Sequence, residues 1–177
     1  MTSKSSGLFK TAVAEGALSR AASAIVDARD IGADINAALG VSVDDVKTTG
    51  EMAFFAALID DSTSIRMRQG NTELIREGVN LCLDALTASK AETNGVLAML
   101  MTLNRGIMCP FTPVRDVPRL DAGNYNPNGY TPLYDRAPVL LGSVLAKWQD
   151  FIDNGVPGRT ISTIITDGHD EGSTRTA

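Results

Sequence analysis

A chain of 177 residues with a formal net charge of −5 has room for one α/β domain plus a helix or two, and not for two full domains. Apolar residues make up 44% and charged residues 21%, the balance of a soluble globular protein, and no basic cluster or stripe offers a surface to nucleic acid or anionic membranes. No stretch approaches the roughly 20 apolar residues that span a bilayer.

Residues 1–6 are polar and carry no signal-peptide pattern, so a reducing cytoplasm is the expected compartment. Over residues 8–28, Leu8, Val13, Leu18, Ala22, Ile25 and Val26 recur at helical spacing and predict one or two amphipathic helices. Residues 33–39, between Gly32 and Gly40, predict a second short helix. Residues 1–50 therefore read as an N-terminal helical segment whose apolar stripe packs on its own domain, and residues 51–177 as the main domain.

From Met52 the pattern changes. Ala53-Phe54-Phe55-Ala56-Ala57-Leu58-Ile59 is apolar at every position, which predicts a central strand covered on both faces. It breaks into Asp60-Asp61-Ser62-Thr63-Ser64. Residues 71–88 carry Leu74, Ile75, Val79, Leu81, Cys82, Leu83 and Leu86, an amphipathic helix with Asn71 or Thr72 as its expected cap. Residues 96–103 predict a second strand and 107–114 a third. The reversal Asn104-Arg105-Gly106 between them is so short that the pair must be antiparallel. Residues 116–130, loaded with Pro, Gly and Asn, predict a loop. Thr131-Pro132 then predicts a helix start, with Thr131 as cap, that runs to about Ile152 and closes at Asn154-Gly155. Residues 160–166 predict a fourth strand ending in Asp167-Gly168-His169-Asp170. The fold class is α/β: a Rossmann-like open sheet, mostly parallel, with one antiparallel edge strand and helices on both faces.

Cys82 and Cys109 have no CxxC neighbour and read as two buried free thiols. The single histidine, His169, reads as an exposed loop residue, and any triad would have to be built around it. Asp61, Asp135 and Asp170 read as solvated or capping carboxylates, and Asp116 and Asp121 as turn formers.

Three junctions hold oxygen-bearing side chains: Asp60-x-Ser62-x-Ser64 after the first strand, Thr131 at a helix entrance, and Asp167 after the fourth strand. Ligands of open α/β sheets bind beyond the carboxyl ends of the strands, where all three junctions are expected. Their hydroxyls and carboxylates are hard donors suited to Mg²⁺, with Mn²⁺ or Ca²⁺ as alternatives. Because Asp60 and Ser62 are expected at the loop edge, alanine there should leave the fold largely intact.

Ile59-Asp60-Asp61-Ser62-Thr63-Ser64 resembles the DxSxS motif that follows the first strand of von Willebrand factor A (vWA) domains. Gly129-Tyr130-Thr131-Pro132-Leu133-Tyr134-Asp135 is similar to their GGTPLYDA segment, with Tyr130 where a second glycine is common. Ile164-Ile165-Thr166-Asp167-Gly168-His169-Asp170 is similar to their ITDGxD segment. The resemblance implies a metal-ion-dependent adhesion site (MIDAS). In it Ser62, Ser64 and Thr131 approach Mg²⁺ directly, Asp60 and Asp167 act mainly through water, and an acidic side chain of a partner protein completes the shell.

It further implies a protein-interaction module rather than an enzyme, of the kind that in cytoplasmic bacterial members often works beside AAA+ ATPases or in multiprotein assemblies. The competing readings are a structural assembly subunit with a vestigial metal site, which a chelator-controlled pull-down separates, and a Mg²⁺-dependent hydrolase, which activity screening addresses. The resemblance ends before the family's last strands and helices. In that family's sheet the first strand is central, so residues 160–166 are left on an open edge made apolar by Ile161, Ile164 and Ile165. That edge is expected to be covered by the N-terminal helices, by further residues, or by a second copy in a homo-oligomer.

Overall fold

Met52–Ile59 (β1) is buried at all but one position, and its alternating side chains divide the core in two. The computed structural model describes Ala14 and residues 31–46, 50–89 and 95–174; the helices expected over residues 8–28 lie outside the described residues. β1 pairs in parallel with Val96–Thr102 (β2) on one side and Gly158–Ile165 (β4) on the other. Gly106–Pro113 (β3) runs antiparallel to β2, so the sheet order is β3-β2-β1-β4. The expected α/β sheet, mostly parallel with one antiparallel edge strand, is the one observed.

On one face, Met52, Phe54, Ala56 and Leu58 meet Leu97, Met99 and Met101 under two helices, Gly32–Ala38 (α1) and Leu133–Asp153 (α4). Phe54 is edge-on to Phe111 at 6.2 Å and to Phe151 at 5.0 Å, tying β1 to β3 and α4. Each such ring pair contributes about 0.5–1.5 kcal/mol beyond its buried area. On the other face, Phe55, Ala57 and Ile59 pack with Ala98, Leu100 and Cys109 under Val79 and Leu83 of Asn71–Ala88 (α3) and under Val114, Val117, Leu120 and Tyr125. A five-residue helix, Thr63–Met67 (α2), links β1 to α3.

Three local expectations change. Gly70, at φ +86°, is the residue that enters α3, so neither Asn71 nor Thr72 caps it; a left-handed entry suits glycine. Thr131 does not cap α4, which begins at Leu133 after Pro132 with no side-chain cap on its N-cap residue. Cys82 is exposed on the outer face of α3, whose inner face presents Val79 and Leu83; Cys109 is buried, and both thiols are free. No helix among the described residues is long and apolar enough to cross a membrane. Among those residues no strand pairs with the outer edge of β4, where Ile161 and Ile164 are 48% and 46% exposed.

Lys147 of α4 is 1% exposed, donates to the Val41 carbonyl, and lies 3.7 Å from Asp150 Oδ2 and 5.0 Å above the Phe151 ring. Burial pushes its ammonium below the ordinary 10.5, against the opposing pull of Asp150 and Asp45. Between that lowered value and 10.5 the unfolded chain binds more protons at this site than the folded one, so its contribution to stability grows with pH. Urea unfolding of wild type and Lys147→Met from pH 8 to 10.5 is expected to show wild type gaining on the variant as pH rises. A constant difference would mean that the ammonium is not desolvated.

Candidate functional site

The register that pairs Ile59 with Ile165 makes β1 and β4 leave the sheet side by side, and the Asp60 amide donates to the Ile165 carbonyl at 2.8 Å. Asp60 is fully buried. Its Oδ1 accepts the Ser62 amide at 2.8 Å, an Asx turn, and its Oδ2 accepts the Thr166 hydroxyl at 2.7 Å. Both oxygens are thereby satisfied, which is what allows a carboxylate to stay in a dry position. The expectation that Asp60 and Ser62 sit at a loop edge is therefore corrected: they are 0% and 2% exposed, and Asp60 is a structural link between two strand ends.

From Asp60 the hydroxyls continue outward. Ser62 Oγ lies 2.9 Å from Ser64 Oγ, and Ser64 Oγ donates to Asp167 Oδ1 at 2.8 Å. Asp167 Oδ2 is buried without a hydrogen-bond partner, and the exposed guanidinium of Arg68 approaches it only to 3.6 Å. Thr131 is buried and forms a two-bond bridge with Glu171, its amide to the Glu171 carbonyl at 3.0 Å and the return bond at 2.9 Å. A Cβ built on Gly168 would lie 4.0 Å from Thr131 Oγ1, so Thr131 faces the Asp167-Gly168 turn. Residues Asp60, Ser62, Ser64 and Asp167 are linked directly, and Thr131 adjoins them.

Several neighbours were not legible as parts of this crevice. Thr166, read only as a strand end, holds Asp60. Tyr125, in the loop after β3, is 1% exposed and donates its hydroxyl to the Asp60 carbonyl. Burial, then the charges of Asp60 and Asp61, hold its phenol well above the ordinary value; Asp167 adds to this and Arg76 opposes it, so the ring keeps its proton. An aromatic residue within an Asn- and Gly-rich loop was the available signal.

Asp61 is not solvated: it is 2% exposed, its Oδ1 accepts two bonds from Asn104 at 2.8 Å, and its Oδ2 has no partner. Asp170 does cap, receiving the Tyr134 amide in the first turn of α4 at 2.9 Å, whereas Asp135, within that turn, accepts the Thr174 amide at 2.8 Å and ties down the segment after β4. Asp121 is a turn former, accepting the Gly123 and Asn124 amides, and His169 is exposed.

Among the described residues no group of three or more His, Cys, Asp or Glu side chains is arranged to hold a metal. A cation in this crevice would instead meet serine and threonine hydroxyls together with two carboxylates. That donor set is hard and oxygen-only, the kind Mg²⁺ accepts.

Replacing Tyr125 by Phe keeps the ring and leaves the buried Asp60 carbonyl without the phenol. Denaturant unfolding is expected to show a loss of about 1–3 kcal/mol. A change below about 0.5 kcal/mol would mean that the hydroxyl does not hold the end of β1.

Comparisons with protein-family models, curated proteins and solved structures give no match to this chain.

Proposed function

We propose that this chain is a metal-dependent protein-interaction module that binds Mg²⁺ in a MIDAS-type crevice, as in the vWA domains its motifs resemble. One observation carries the reading. Cis ligands of an octahedral ion with bonds of about 2.0–2.1 Å lie about 2.9 Å apart. Ser62 Oγ, Ser64 Oγ and Asp167 Oδ1 follow one another at 2.9 and 2.8 Å, and the second oxygen of Asp167 is buried without a hydrogen bond, with the exposed Arg68 guanidinium 3.6 Å away. A hydrogen-bonded row of hydroxyls accounts for the first fact, but the ion pair with exposed Arg68 leaves the buried carboxylate oxygen without the hydrogen bond such an atom ordinarily has.

In this reading Ser62, Ser64 and Thr131 hold the ion, with Asp60 and Asp167 balancing its charge. When bound, the cation supplies a coordination position open to the carboxylate of a partner protein. The chain's own residues do the positioning. Asp60 aims the Ser62 amide and is itself pinned by Thr166; Asp167 orients the Ser64 hydroxyl; the Glu171 bridge fixes the backbone of Thr131. Exposed Ser64 is the position where a hydroxyl can be removed at least structural cost. Asp60→Ala would instead break both hydrogen bonds of a buried carboxylate and confuse folding with binding.

An ion bound only by the folded state stabilises it by about 2.7 kcal/mol at a hundredfold excess over Kd. For a chain of this size that corresponds to a rise in Tm of about 5–10 °C. Thermal melts in millimolar Mg²⁺ are expected to show such a rise, reversed by EDTA and reduced in Ser64→Ala. Superimposable curves would overturn cation binding. Recruitment is checked separately by a pull-down with and without chelator: loss of an acidic partner in EDTA is expected, and retention would point to a structural subunit with a vestigial site.

A further inference from the structure

Thr131 comes from a loop far along the chain from both strand ends that carry the other candidate ligands, so something must set it beside them. Its backbone is bridged to Glu171 on one side. On the other side the residue before it, Tyr130, is held by a side chain. Asn104 Nδ2 donates to the Tyr130 carbonyl at 2.8 Å, and Asn104 Oδ1 accepts the Tyr130 amide at 3.1 Å. The carboxamide thus pairs with a peptide unit as a neighbouring strand would.

Asn104 is in turn locked by Asp61. Its backbone amide and its Nδ2 both donate to Asp61 Oδ1 at 2.8 Å. A carboxylate can only accept, so the amide nitrogen must face Asp61, which leaves the amide oxygen toward the Tyr130 N–H. The loop closes tightly over this amide. The Asn128 amide donates to the Asp61 carbonyl at 2.7 Å, and Gly129, at φ +146°, lies where a Cβ would come within 2.4 Å of Asn104 Oδ1. An asparagine in a reversal ordinarily serves its own turn. This one spends its carboxamide on residues 43 and 26 positions away in the chain.

We infer that Asn104, held by Asp61, is a positioning residue that sets Thr131 at the crevice, so that cation affinity depends on a carboxamide beside the ligand set rather than in it. The inference rests on the proposed cation site, and the experiment separates the two. Outer partners that orient metal ligands typically change affinity 10–100-fold when removed.

Mn²⁺ is titrated into the full 177-residue chain by calorimetry, for wild type, Asn104→Ala, Asn104→Ser and Asn80→Ala. Asn80 clamps the Leu120 backbone in the same two-bond manner, at 2.9 and 2.8 Å, from α3. It therefore controls for the general cost of losing such a clamp. Amide exchange at residues 128–131 is followed in EDTA. Mn²⁺ affinity is expected to fall 10–100-fold in Asn104→Ala. Asn104→Ser should fall comparably, because serine is too short to join Asp61 to Tyr130. Asn80→Ala should stay within about threefold of wild type, and the Tyr130 amide should lose protection only in the Asn104 variants. Wild-type binding with unchanged affinity in either Asn104 variant would overturn the inference alone. No Mn²⁺ binding by wild type would overturn the cation reading and this inference with it.

Discussion

The buried carboxylate of Asp60 is the constraint around which the crevice is arranged. It stands where the most apolar strand ends, without exposure to water, and an ionised group there is tolerable only if both oxygens are hydrogen-bonded. The Ser62 amide and the Thr166 hydroxyl meet that requirement, and they come from the two chain segments that leave adjacent parallel strands. Satisfying one side chain therefore locks the exits of β1 and β4 together. Ser64 and Asp167, the next oxygens along each exit, fall within hydrogen-bonding distance as a consequence.

Asp61 and Asp167 are less completely satisfied, each retaining a buried oxygen without a hydrogen bond. Asp61 meets Asn104, while Asp167 has the largely exposed guanidinium of Arg68 3.6 Å from its second oxygen.

The loop that follows β3 is an ordered part of this arrangement. Arg76 of α3 donates to the Tyr125 carbonyl through Nε and Nη2 at 3.2 and 2.6 Å. Arg105 of the β2–β3 reversal reaches the Asn124 and Asn126 carbonyls at 3.3 and 3.0 Å. Two guanidinium groups from different elements thereby seat Tyr125 beneath Asp60, while Asp61 and Asn104 draw in the following turn. A segment without regular structure is fixed because its backbone carbonyls and amides are paired with side chains.

Much of this was legible in the chain itself. The unbroken apolar run of β1 required cover on both faces, the three-residue link after β2 required an antiparallel neighbour, and the three hydroxyl- and carboxylate-bearing junctions stood where such a sheet binds ligands. Those features are local or follow from periodicity, so sequence alone determined them. What only the tertiary structure decided are the pairings between distant polar groups. By its position after a strand Asp61 is expected to be a solvated or capping carboxylate, yet it is buried and bonded to Asn104, 43 residues away. Thr131 read as a helix cap because Thr-Pro commonly opens a helix, yet its backbone was claimed by Glu171 and the helix began two residues later. A polar side chain has several local partners of nearly equal energy. Which one it takes depends on what the folded chain places beside it, and that information lies in the registers of β1 against β2 and β4 and not in the spacing of residues along the chain.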